Sequence, residues 1–167
     1  SVTYGAGGSN RDKSFAIVER MAPLVLTIGH LTAVGASRES TREIIQRYRS
    51  CGVNTILALR GDAPKDAPDA LEQGELKRAV ELVHLAHDEF GLEVGVAAFP
   101  EVHPESPSIE HDAEVLRIKQ DAGATFAMTQ LFFTVEAYTT LVSASTAAGV
   151  VMPIVPGLMP IANARNV

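Results

Sequence analysis

The chain has 167 residues, of which 46% are hydrophobic and 20% charged, and its formal net charge is -6. These values are ordinary for a globular protein with a core, whereas a nucleic-acid partner would require a basic face. No apolar run approaches the roughly 20 residues of a membrane-spanning helix, so we expect no membrane partner. The single cysteine, Cys51, excludes an internal disulfide and favours a reducing compartment, which predicts a cytoplasmic protein.

Short β-branched runs alternate with longer amphipathic segments along the chain. The runs predict six strands, at Val2–Tyr4, Leu24–Ile28, Thr55–Leu59, Glu93–Ala98, Phe126–Leu131 and Met152–Val155. The segments between them predict five helices, near Ser14–Met21, Arg38–Ser50, Gly74–Phe90, Ile109–Asp121 and Val135–Ala148. Because the chain begins in a predicted strand and stops near the start of a further predicted helix, we expect residues 1–167 to form a single domain that is an incomplete piece of a larger barrel.

The lengths of the connections indicate the fold class. The helix-to-strand connection at 50–54 is short, whereas the strand-to-helix connections at 60–73 and 99–108 are long and polar. This asymmetry is typical of an α/β protein of the (β/α)8 TIM-barrel type, in which the loops after the strands build the site. The chain would supply about six of the eight βα units, as a truncated barrel. A doubly wound open sheet is the alternative that periodicity leaves open.

Residues just past the predicted strand ends should line one common site, because parallel strands all end on the same side. These candidates are Thr3, Tyr4, His30, Arg60, Gly61, Asp62, residues 99–103 and Gln130.

Two of the loops combine several chemical groups. In the segment 59–62, Gly61 allows the backbone to approach a planar ligand and Asp62 adds a carboxylate, although a turn with a surface Arg–Asp pair would look the same. In the segment 99–105, two prolines stiffen the backbone around an aromatic ring, a carboxylate and the His103 imidazole. The alternative for this segment is a rigid approach to a helix with capping acids. No spacing supports a metal site at His103, so we expect none.

Gln130 is an unusual residue in an apolar predicted strand. A buried amide must find partners for its donors and acceptors, and the edge of a planar heterocycle would provide them. Hydrogen bonds to neighbouring backbone are the alternative. The chain has neither a Gly-rich dinucleotide fingerprint nor a phosphate loop, so a nucleotide would have to bind as it does in barrels.

Five motifs together resemble methylenetetrahydrofolate reductase. They occur in order along nearly the whole chain, at residues 1–6, 59–62, 97–105, 122–133 and 153–160. The resemblance implies an eight-stranded barrel that binds FAD at the carboxyl ends of its strands. It also implies hydride transfer from NADH or NADPH to FAD, and then to methylenetetrahydrofolate.

The resemblance also implies roles for individual residues. Asp62 and Gln130 would be the catalytic residues and would hold the folate substrate. The FAD contacts would be Thr3, Tyr4, Ala6, His30, Arg60, Gly61, Asp62, Phe99, His103, Asp112 and Lys119.

The chain departs from the family pattern at several positions. The family's glutamate in a Phe-Glu-Phe-Phe-Pro-Pro-like run, which protonates the folate, has no counterpart in this chain. Expected polar or aromatic FAD contacts are replaced at 72–73 and by Phe99, Val115 and Ile118. A flavin-independent NADH-dependent reductase of the same family, a catalytically inactive barrel fragment, and another barrel enzyme such as an aldolase or pterin-binding synthase are therefore alternatives. A homo-oligomer is compatible with all of them.

Overall fold

The computed structural model of the chain describes residues 11–63 and 67–158. Within these residues, five parallel strands form one sheet: β1 (Ile28–Thr32), β2 (Thr55–Leu59), β3 (Glu93–Ala98), β4 (Phe126–Thr129) and β5 (Ile154–Val155). The helices are α1 (Arg11–Met21), α2 (Arg38–Ser50), α3 (Ala70–Gln73), α4 (Ala79–His84), α5 (Ile109–Asp121) and α6 (Val135–Ala147). A π-helical turn, Leu85–Glu89, continues α4.

The strand order confirms the predicted fold class. Each described strand pairs in parallel with the next one along the chain, in the order β1-β2-β3-β4-β5. A doubly wound sheet reverses its strand order at a switch point, whereas a barrel adds each strand beside the last. The described part of the chain is therefore an arc of a (β/α) barrel. The predicted strand Val2–Tyr4 lies outside the described residues.

Local signals set the ends of several helices. The Ser37 and Ser40 hydroxyls accept each other's backbone N–H at 3.1 and 3.2 Å, which caps α2 at its start. The Ser108 hydroxyl caps α5 in the same way by accepting the N–H of His111. Both helices have the predicted bounds, and each is followed within two residues by a glycine at positive φ, Gly52 or Gly123.

The prediction of a strand at Leu24–Ile28 is wrong, because the strand runs over Ile28–Thr32. Leu24 is 73% exposed and Leu26 is 87% exposed, in the segment between α1 and β1. Within this strand, a Cβ on Gly29 would lie 2.8 Å from the ring of Tyr48, so a residue larger than glycine would displace this ring of α2. Hydrophobicity alone could not locate that contact.

The predicted helix Gly74–Phe90 begins later than predicted, at Ala79. The carboxylate of Glu81 accepts the backbone N–H groups of Lys77 and Arg78, which begins the helix at Ala79. Gly74 belongs to the preceding loop, where its Cα packs against the backbone of Gly35 and Ala36.

The two faces of the sheet have different roles. Ile56, Ala58, Val94 and Val96 lie on the face covered by the helices and are fully buried. The opposite face carries, in register across four strands, a layer made of His30, Leu57, Gly95 and Phe126. Since Gly29 faces α2, its neighbour His30 must face the barrel interior.

No helix in the described ranges is long and apolar enough to cross a membrane.

Candidate functional site

The loops after β2, β3 and β4 bring the candidate residues to one end of the sheet. Asp62, His103 and Gln130 follow these three strands in turn, and parallel strands share the side on which they end. We call this carboxyl-terminal edge the rim. Residues 1–10 lie outside the described part, so Thr3, Tyr4 and Ala6 have no described position.

His30 lies in the middle of β1, not past its end as predicted. Its side chain is partly buried on the interior face, and its Nε2 atom is buried without a hydrogen-bond partner among the described residues. Burial lowers the pKa of His30, which favours the neutral imidazole. A buried polar atom without a partner indicates a place where a ligand atom would form the missing hydrogen bond.

Arg60 ties the loop after β2 to the loop after β3. Its guanidinium donates two hydrogen bonds to the Glu105 carboxylate, at 2.5 and 3.0 Å. This pairing raises the pKa of Arg60 and lowers that of Glu105. Gly61 has a φ of 78° and lies so close to Val34 that a Cβ would approach its side chain to 2.7 Å. The exposed Asp62 is therefore held on a tightly packed turn.

The loop after β3 is ordered by contacts around His103. The ring of His103 meets the Phe99 ring edge-on, with centroids 4.6 Å apart, and its backbone N–H donates to Asp112 at 2.8 Å. Its Nδ1 accepts the N–H of Glu105 at 3.1 Å, which leaves Nε2 to carry the proton of the neutral ring. Val102 has a φ of 67°, a strained conformation for a β-branched residue.

Lys119 reaches from α5 to the sheet beneath this loop. Its Nζ donates to the Ala97 carbonyl at 3.2 Å, and burial lowers its pKa to about 8, while the charge of Asp112 opposes that shift. Asp112 and Lys119 thus lie under the rim. The charge of the Asp112 carboxylate offsets part of the desolvation of the Lys119 ammonium.

The expectation that Gln130 is buried within a strand is wrong. Strand β4 ends at Thr129, and Gln130 is exposed directly after it. Its backbone N–H donates to Ala98, and its side-chain Oε1 accepts the N–H of Leu131 at 3.1 Å. Because β4 ends one residue before it, the exposed side chain of Gln130 lies on the rim.

Several residues that shape the rim were not singled out for these roles from the sequence. They are Glu105, which binds Arg60, and Thr129, Tyr138 and Gly157, which hold the ends of β4 and β5. An acidic residue after two prolines was a signal for Glu105, but its partner is 45 residues away. The other contacts leave no local pattern in the sequence.

Two other kinds of candidate site are a groove on the helical side and a group of metal-ligating side chains. A groove of about 880 Å³ lies between α5 and α6, and none of the candidate residues lines it. In residues 11–63 and 67–158, no three His, Cys, Asp or Glu side chains are grouped as for a metal ion.

A family model and similar curated relatives all point to the same protein family. The family model described as methylenetetrahydrofolate reductase matches residues 1–167. The chain is 40% identical to the 5,10-methylenetetrahydrofolate reductase of Pectobacterium carotovorum subsp. carotovorum and 36% identical to that of Escherichia coli (strain K12). Each match covers 99% of this chain and 55% of the relative, so the chain spans about half the length of these relatives.

Two more distant similarities extend this result. Methylenetetrahydrofolate reductase (NADH) 1 of Arabidopsis thaliana is 34% identical over 99% of this chain and 30% of that protein. The crystal structure of phosphonopyruvate hydrolase superimposes with a TM-score of 0.65 at 12% identity, covering 87% of this chain and 50% of that one. At this identity the likeness supports the fold alone.

Proposed function

Because the chain belongs to the methylenetetrahydrofolate reductase family, we propose that the full-length protein reduces 5,10-methylenetetrahydrofolate to 5-methyltetrahydrofolate with NADH or NADPH. The reaction adds a hydride to the methylene carbon and a proton to the nitrogen that this carbon leaves, while the nicotinamide is oxidised. The observation that supports the proposal is that Asp62, His103 and Gln130 follow the carboxyl ends of three neighbouring parallel strands. The Arg60–Glu105 pair joins two of the loops that carry them.

The described residues fit FAD as the cofactor of this reaction. The buried Nε2 of His30 needs a hydrogen-bond partner on the interior face, and a flavin ring offers such atoms at its edge. Arg60 keeps further N–H donors beyond the two that bind Glu105, and these suit a phosphate oxygen. His30, Arg60, Phe99, His103, Asp112 and Lys119 would hold the cofactor. When bound, FAD supplies a two-electron carrier between the nicotinamide and the folate.

Asp62 and Gln130 are the proposed folate contacts. The exposed Asp62 carboxylate can accept paired N–H donors from the edge of a pterin. Gln130 offers its NH2 group, because its Oε1 already accepts the N–H of Leu131. The two side chains would orient the folate at the rim.

The substitution Asp62→Asn in the full-length protein tests this assignment. Loss of the carboxylate should slow folate reduction by at least roughly tenfold, but should change NAD(P)H oxidation by menadione by less than about twofold. The control is Asp69→Asn, an exposed aspartate in the same connection whose side chain forms no cap hydrogen bond. Equal slowing of both reactions by Asp62→Asn would remove Asp62 from its assigned role.

The sequence keeps one alternative within the family open. Ile118 stands where the resemblance expects a polar FAD contact. A reductase that transfers hydride directly from NADH would not need that contact. An absorbance spectrum of the purified full-length protein separates the two: a yellow protein that releases flavin on heating supports FAD, and a colourless protein with full activity supports direct transfer.

A further inference from the structure

Gln130 is preceded by a residue that fastens β4 to the loop after β5. The Thr129 side chain, only 6% exposed, accepts the backbone N–H of Gly157 through Oγ1 at 2.8 Å. The Cα of Gly157 lies directly against the carbonyl oxygen of Thr129, where any Cβ would collide. The loop after β5 is therefore clamped against the end of β4.

Tyr138 makes a second connection on the other side of Gln130. From α6, its hydroxyl donates to the carbonyl of Ile154 in β5 at 2.8 Å. Its ring stacks on Phe132, with centroids 5.6 Å apart and 14° between the ring planes. One side chain thus links β5 to the loop that carries Gln130.

These two contacts matter because β5 is short. It consists of two residues, and its register with β4 covers only Ala127 with Ile154 and Met128 with Val155. So little pairing leaves the position of the following loop weakly determined. The hydrogen bond between Thr129 and Gly157 adds a further link between β4 and the loop after β5. This link lies one residue beyond the last paired residue of β4, Met128, and directly before Gln130.

We propose that Thr129 and Tyr138 are positioning residues for the folate substrate, which act by holding Gln130 at the rim. Neither side chain touches the substrate. Thr129 fixes the backbone before Gln130, the N–H of Gln130 is bonded to Ala98 at 2.8 Å, and the stacked Phe132 fixes the backbone after it. The inference rests on the proposed function, since it assigns Gln130 to the folate.

Thr129→Val in the full-length protein is the main test, because it keeps the shape of the side chain and removes the acceptor for Gly157. The KM for methylenetetrahydrofolate should rise roughly three- to tenfold, while NAD(P)H oxidation by menadione changes by less than about twofold. Thr129→Ser keeps the hydroxyl and should restore a KM within about twofold of the wild-type value. A merely structural role would instead lower both activities together.

Tyr138→Phe supplies an independent variant, because it removes the hydrogen bond to Ile154 and keeps the stacking on Phe132. It should also raise the folate KM selectively. Hydrogen exchange at the Gly157 amide, expected to be faster in Thr129→Val than in Thr129→Ser, reports the clamp without any substrate. An unchanged folate KM in Thr129→Val and Tyr138→Phe, or a KM that Thr129→Ser fails to restore, overturns the inference.

Failure of the proposed function and failure of the inference about Thr129 and Tyr138 give different results. A wild-type protein that forms no methyltetrahydrofolate refutes that function and the substrate role of the clamp with it. A wild-type protein that forms methyltetrahydrofolate, with Gly157 exchange that is the same in both Thr129 variants, refutes the clamp alone.

Discussion

The ammonium group of Lys119 is destabilised by its burial. Its pKa falls from 10.5 to about 8 because burial disfavours the ammonium, although Asp112 favours it. Between these two pH values the unfolded chain keeps a proton that the folded chain has released. The free energy of unfolding should therefore rise with pH over this window.

The substitution Lys119→Met tests this linkage, because methionine fills similar space without a charge. As the pH increases from 8 to 10.5, the stability of the wild-type protein should rise relative to that of Lys119→Met. Urea denaturation of both proteins across this range measures the difference. Parallel pH profiles would show that the ammonium is not desolvated in the folded protein.

At the scale of elements, the Arg60–Glu105 pair joins two loops that build the rim. Arg60 lowers the pKa of Glu105 below its ordinary value of 4.5, so the pair stabilises the fold above that pH. The stabilisation is lost as the pH falls through the lowered pKa. Since 63% of the Glu105 side chain is exposed, salt should screen the attraction.

Glu105→Gln should destabilise the protein slightly at neutral pH and low salt, and the difference should vanish in acid and shrink in high salt. The control is Glu101→Gln, an exposed glutamate in the same loop. Denaturation curves at two pH values and two salt concentrations measure the effect. A loss that is independent of both conditions would mean that packing, not charge, is the basis of the contact.

Gly95 determines how β3 and β4 pack on the interior face. Because a Cβ on Gly95 would collide with the Phe126 ring, Gly95→Ala should cost about 1–3 kcal/mol of stability. The double variant Gly95→Ala/Phe126→Leu should lose less than the sum of the two single variants, since leucine vacates part of the space. Additive losses in thermal denaturation would contradict the proposed contact.

At the scale of the whole molecule, the described residues form an arc that carries part of a rim. The described sheet ends at β5, and the matched bacterial relatives are nearly twice as long as this chain. Residues 1–167 expressed alone should therefore oxidise NAD(P)H with menadione far more slowly than the full-length protein. Equal turnover of the two proteins would show that this part suffices. A homo-oligomer and a cytoplasmic location stay predictions.

The sequence by itself determined the features that depend on neighbouring residues. Serine caps and following glycines set the bounds of α2 and α5, because capping hydrogen bonds form within one helical turn. The alternation of strands and helices predicted a parallel sheet, and a parallel sheet places Asp62, His103 and Gln130 at one end whatever its details.

Only the tertiary structure decided the features that depend on distant residues. Strand β1 begins at Ile28, after the more hydrophobic stretch, and its Gly29 packs against the distant Tyr48. The partners of Arg60 and Thr129 lie 45 and 28 residues away, and no local pattern identifies them. The exposure of Gln130 likewise follows from where β4 stops. Side-chain contacts across a sheet depend on three-dimensional proximity, which local sequence patterns do not encode.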